Sequence, residues 1–178
     1  RRAGRISIET CTKLVKKLQT IQIDGIELFL EPVQDYRFAL VIRGNNLDGE
    51  VADTDPQATG ILPLVAKAKN KHAEKTADII NKFITQAKEI LKDDHPANMI
   101  TFRGIGKKPN IPTMQEAYGV KAAATCVYPM YRGLARLVGM HILPTVKNLQ
   151  EQIAILKKHW NEYDFFFLSV FNLDEINL

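Results

Sequence analysis

The stretch VADTDPQATG, residues 51–60, sets Asp53 and Asp55 one residue apart on a loop punctuated by proline and glycine. A loop of this composition buries little and offers mostly hydrogen-bonding groups, which suits either an ordinary solvated turn or part of a polar site. The two carboxylates can ligate a metal, orient cationic side chains or close Asx turns ahead of Pro56. Orientation of arginines is the favoured reading, because arginine recurs beside glycine along the chain. Arg1, Arg2 and Arg5 lie in RRAGR, Arg43 in VIRG, Arg103 in TFRG and Arg132 in YRG. A guanidinium presents a planar fork of donors that matches carboxylate or phosphate oxygens, and a neighbouring glycine lets the backbone approach the ligand. Any one of these arginines is as readily solvated or paired with an acid, but their recurrence favours an anion site. His72, His95, His141 and His159 are not spaced as a metal set, and Ser7 and Ser169 lack the surroundings of a catalytic nucleophile.

Regular elements must hold these groups in place. Ile8, Cys11, Leu14, Val15 and Leu18 recur at helical spacing behind Ser7, a plausible N-cap. GIELFLEPV and YRFALVIRG are two strand-prone runs separated by QD, the pattern of a β-hairpin that delivers Arg43 to the Asp53 loop. The spacing of Ala77, Ile80, Phe83, Ile84, Ala87, Ile90 and Leu91 predicts a long amphipathic helix over Glu74–Leu91, expected to pack against the hairpin. NMITFRG reads as a strand carrying Arg103. After residue 118 the texture changes to alternating short strands and helices: VKAAATCVY, a helix in MYRGLARLVGM, a helix from Val146 to His159, and the strand DFFFLSVF. The last has no polar face, as expected of a strand in a parallel sheet covered on both sides. The expected fold class is α/β, an α+β domain over residues 1–118 followed by part of an α/β domain over residues 119–178.

The chain has 178 residues, 46% hydrophobic and 25% charged, enough for a real core in one domain or one and a half. No apolar run approaches the length of a membrane span, and nothing at the start reads as a signal peptide, so the expected setting is the cytoplasm. Cys11 and Cys126 are far apart and read as reduced packing residues. The net charge of +4 is distributed among acidic neighbours and forms no basic stripe. This argues against nucleic acid and is compatible with a small anionic substrate. Both ends look cut.

Taken together, RRAGRIS, VIRGNNLDGEVADTDPQATG, the stretch from NKFITQAKEIL to MQEAYGVKAAA, YRGLARLVGM and YDFFFLSVFNLDE resemble the archaeal-type, cofactor-independent phosphoglycerate mutases, relatives of alkaline phosphatase. The resemblance runs along nearly the whole chain, with several motifs in order. It implies interconversion of 3-phosphoglycerate and 2-phosphoglycerate, a step of glycolysis and gluconeogenesis, through a phosphoserine on two divalent ions, commonly Mn2+ or Mg2+. It also implies that the segment up to Tyr118 is an inserted domain that grips the substrate and that the rest re-enters an alkaline-phosphatase-like domain.

On the same resemblance, Arg2, Arg5, Asp53 and Arg103 line the substrate wall, with Arg43 and Asp55 as further candidates. Arg132 stands where the family has a helper lysine. Asp174 matches the aspartate of the family's D-x-x-G-H metal motif, while Asn177 and Leu178 occupy its glycine and histidine positions. The serine nucleophile would lie upstream of RRAGR, so the expectation is a part of a mutase that is inactive as this chain alone. The alternatives are a non-catalytic phosphoacid-binding module and a related metal-dependent phosphatase or phosphonate enzyme.

Overall fold

The computed structural model describes residues 2–144 and 148–169. The chain divides into two compact units, residues 1–108 and 109–178. This division lies ahead of the expected boundary at Tyr118. The reason is a short helix that the sequence reading passed over, α3 (Met114–Tyr118). A capping box between Thr113 and Glu116 starts it and Gly119, at φ 70°, ends it. Its Met114 N–H donates to Val138 O at 2.9 Å, and Thr113 lies against Gly139, so it belongs to the second unit.

In the first unit, α1 (Ile8–Leu18) starts at Ser7, whose hydroxyl accepts the Thr10 N–H, and buries Cys11, Val15 and Leu18. The hairpin pairs β1 (Glu27–Gln34) with β2 (Arg37–Arg43) through a two-residue turn at Asp35 and Tyr36. The turn falls one residue later than QD because the register shifts between Pro32 and Gln34. Leu28, Leu30, Phe38, Leu40 and Ile42 face the core. The opposite parity, from Glu27 and Phe29 to Val41 and Arg43, is exposed. Helix α2 (Glu74–Leu91) buries Ala77, Ile80, Phe83, Ile84, Ala87 and Leu91 of the expected stripe, with Thr76 and Ile79 in addition.

The hairpin meets α1 directly, whereas a ring from outside the elements joins it to α2. Phe102 lies 6.1 Å from Phe38 of β2 and 5.7 Å from Phe83 of α2, centroid to centroid. Its own segment, NMITFRG, is not a strand. The Phe102 backbone bonds instead to Thr54: Thr54 N–H donates to Phe102 O at 2.9 Å, and Phe102 N–H donates to Thr54 Oγ1 at 2.7 Å. A side-chain oxygen replaces one rung of a ladder, so no β-pairing propagates.

In the second unit, β4 (His141–Ile142), β3 (Ala122–Cys126) and β5 (Phe165–Ser169) form a parallel sheet in the order β4-β3-β5. The strand buried along its whole length is β3, AAATC. The aromatic run FFFL, expected to be covered on both sides, is in β5, which pairs only with β3 among the described residues and leaves Phe165 41% exposed. Small alanines let α4 (Pro129–Leu137) approach β3 closely, with Ala135 buried against Ala124 and Cys126. Helix α5 (Leu149–Lys158) begins at the Asn148 cap; the start expected at Val146 lies outside the described residues. Buried Gln152 of α5 donates from Nε2 to Thr125 O and Ser169 O, tying the ends of β3 and β5 together.

Candidate functional site

The Asp53 loop is laid out by α2. Thr76 Oγ1 accepts the Asp48 N–H at 2.9 Å, and the Asn81 side chain pairs with both backbone groups of Ala66, at 2.9 and 3.0 Å. Between these anchors the chain doubles back, with Ala52 N–H on Lys67 O and Lys69 N–H on Glu50 O, both at 2.8 Å. Thr54, wholly buried, is the centre of this arrangement. Besides its two bonds to Phe102, its carbonyl accepts the Leu64 N–H at 2.8 Å. Burying Thr54 leaves its two neighbours, Asp53 and Asp55, beside the segment that follows Phe102.

The result is a three-residue cluster. Asp53 Oδ1 accepts the Gly104 N–H at 3.0 Å, and Asp55 Oδ1 accepts the Gln57 N–H at 2.8 Å in an Asx turn. The second oxygen of each carboxylate lies near the Arg103 guanidinium, Asp53 Oδ2 at 3.9 Å from Nε and Asp55 Oδ2 at 3.8 Å from Nη1. These are Coulombic distances, longer than hydrogen bonds, so the two carboxylates orient Arg103 without consuming its donors. Arg103 is 55% exposed, whereas the Asp55 side chain is 11% exposed. Such a group can offer N–H donors to a carboxylate or phosphate and carboxylate acceptors to a hydroxyl.

A second contact continues the same ridge. Lys107 Nζ lies 3.1 Å from Asp48 Oδ2, and Asp48 Oδ1 accepts the Glu50 N–H at 2.9 Å. Gly49 is required here, because a Cβ would lie 2.6 Å from Lys107 N and 2.7 Å from Gly106 C. The Glu50 N–H, followed by Lys107, holds the Asp48 carboxyl below its usual range. A carboxylate whose folded value is depressed contributes stability that is present above its unfolded value and lost as pH falls through the folded one. The 48–50 turn is therefore expected to stay closed on Lys107 at neutral pH and to open only in acid, below the range in which an ordinary aspartate titrates. The Glu50 amide shift followed through an acid titration checks this. A transition near neutrality would contradict it, and Asp48→Asn should remove the acid transition.

The other candidates are placed elsewhere. Arg43 of β2 points to the outer face of the hairpin, its guanidinium 4.7 Å above the Phe29 ring, opposite to the inner face where Phe38 meets Phe102. Arg2 and Arg5 are exposed and bracket a left-handed turn in which four successive residues have φ of 59, 46, 61 and 57°. Gly4 in this turn packs so closely that a Cβ would lie 2.6 Å from Pro96 Cγ. Arg132 is on α4 of the second unit, near enough to act on the Cys126 thiol, which burial pushes up and this cation opposes. Thr54, Thr76 and Asn81 were missed by the sequence reading; each is a polar residue whose role is set by a partner far along the chain.

Asp174 lies outside the described residues. Among the described residues no group of three or more His, Cys, Asp or Glu is placed to hold a metal ion. They do not fit a dimetal centre. No helix of the described residues is long and apolar enough to cross a membrane.

Comparison with known proteins places this architecture. The chain is 44% identical over 181 aligned residues to the "Probable 2,3-bisphosphoglycerate-independent phosphoglycerate mutase" of Aquifex aeolicus, and 41% identical over 179 to the protein of that name from Thermus thermophilus. Each match covers 98% of this chain and 44% of the relative, so the chain spans less than half the length of these curated relatives. Among solved structures, the cofactor-independent phosphoglycerate mutase from Thermoplasma acidophilum shares the fold with a TM-score of 0.70 at 24% identity, over 96% of this chain and 50% of that one. The profile of the family described as "2,3-bisphosphoglycerate-independent phosphoglycerate mutase" matches residues 1–98, more than half of the sequence, and the chain belongs to that family.

Proposed function

We propose that this chain is the substrate-gripping part of a phosphoglycerate mutase that interconverts 3-phosphoglycerate and 2-phosphoglycerate, a cytoplasmic isomerase of glycolysis, and that alone it grips without turning over. The first unit is then the inserted domain and the second a part of the alkaline-phosphatase-like domain. The observation that carries the reading is Arg103 held between Asp53 and Asp55 at 3.8–3.9 Å with its donors left to a ligand. A phosphoglycerate asks for both kinds of group: a guanidinium for its carboxylate and acceptors for its free hydroxyl. Arg2 and Arg5 belong to the proposal by resemblance, as does Arg132 from the second unit; Arg43, turned onto Phe29, drops out of it. Manganese or magnesium, when bound in the whole enzyme, would stabilise the charge on the transferred phosphoryl group.

Titration with 3-phosphoglycerate, followed by amide shifts, tests the reading. Shifts are expected at Asp53, Asp55, Arg103 and Gly104, saturating at about millimolar concentration, since a few exposed charge-assisted bonds hold a small acid weakly. Arg103→Ala should weaken binding about 10- to 100-fold, the loss of one such contact of about 1.5–3 kcal/mol. Arg103→Lys should recover only part, because it keeps the charge and loses the fork. Shifts that persist unchanged in Arg103→Ala would refute the assignment.

A further inference from the structure

The outer face of the hairpin carries a pattern that the phosphoacid site does not use. Phe29 of β1 and Val41 of β2 lie opposite each other in the register and are 44% and 49% exposed. Glu27 lies opposite Arg43, and Glu31 opposite Ala39. The acids of this face thus stand on β1, while Arg43 stands on β2 over the Phe29 ring. At the turn end Arg37 is already engaged by Asp35 at 3.2 Å. A two-stranded sheet is marginal by itself, and one whose second face has an apolar centre gains by stacking against another sheet about 10 Å away.

We propose that this face is an isologous contact with a second copy of the chain. A twofold axis parallel to the strands, lying between two stacked hairpins, sends β1 of one copy over β2 of the other while preserving position along the strand. Phe29 then lies over the partner's Val41, and Glu27 over the partner's Arg43, with both contacts repeated by symmetry. A twofold axis across the strands would instead stack β1 on β1, and Glu27 would face no cation. Charge complementarity therefore selects both the occupant and the axis. The contact is small, so the dimer is weak and forms at about micromolar concentrations or above. It rests on the hairpin alone and is independent of the mutase reading.

Sedimentation equilibrium of the full chain over a wide concentration range tests it, with circular dichroism confirming that each variant is folded. The wild-type chain is expected to show a monomer–dimer equilibrium that weakens with salt. Glu27→Arg and Arg43→Glu should each raise the dissociation constant about tenfold or more by setting like charges against each other. The double exchange should restore it, and Val41→Lys should abolish association. A monomer at every concentration in low salt would overturn the proposal and leave the face to a different partner. Association untouched by Val41→Lys would overturn it in favour of another surface, such as exposed Phe165 of β5. A double exchange as weak as either single variant would refute the axis.

Discussion

Replacing Phe83 by alanine is expected to lower the stability of the first unit by about 3–5 kcal/mol. Phe83 is wholly buried on α2 and is packed in the cluster that also holds Val15, Leu18, Leu30 and Leu91. Its ring contacts Phe102, the residue before Arg103, as does that of Phe38. Truncation loses the transfer free energy of the ring and leaves a cavity that a helix anchored at Thr76 and Asn81 closes only in part. Urea unfolding, followed by amide signals of α2, measures the loss. A change below about 1 kcal/mol, the scale of an ordinary surface substitution, would show that the core is not centred on this ring. The same variant should weaken 3-phosphoglycerate binding under folding conditions, since Phe102 would lose a wall and Arg103 its fixed place.

Thr54→Val is the companion test, because it keeps the shape and removes the hydroxyl. The Phe102 N–H, bonded to Thr54 Oγ1 at 2.7 Å in a part-buried contact, would lose its partner, at a cost of about 1 kcal/mol. The larger effect is expected on the site. That bond clamps the DTD loop to the TFRG segment, and without it Asp53 and Asp55 lose their register with Arg103. Thr54→Ser retains the hydroxyl and should recover most of the binding, although it loses a methyl group from the core. Denaturation and 3-phosphoglycerate titration on the two variants separate the clamp from simple packing. Equal binding by Thr54→Val and the wild-type chain would remove Thr54 from the positioning of the site.

Much of this was legible from local pattern. Ser7 before a helical stripe, alternation in FALVIR and the spacing of apolar residues in α2 each follow from periods of 3.6 or 2 and from end caps, which neighbours in sequence decide. The chain order of motifs was sufficient to point to the family. The capping box at Thr113 was equally local and marks α3 plainly. The parity of β2 was also available: with Phe38, Leu40 and Ile42 inward, Arg43 must point outward. Arg43 and Arg103, alike before glycine in sequence, were separated by that parity. What only the tertiary structure decided was long-range: that TFRG bonds to a threonine instead of a strand, that β3 and not the aromatic β5 is the buried centre of its sheet, and that Arg103 is the arginine brought between Asp53 and Asp55. The partners in each case are tens of residues apart, and which of several similar side chains meet is settled by closure of the loops around the core of each unit, where no local period carries the information.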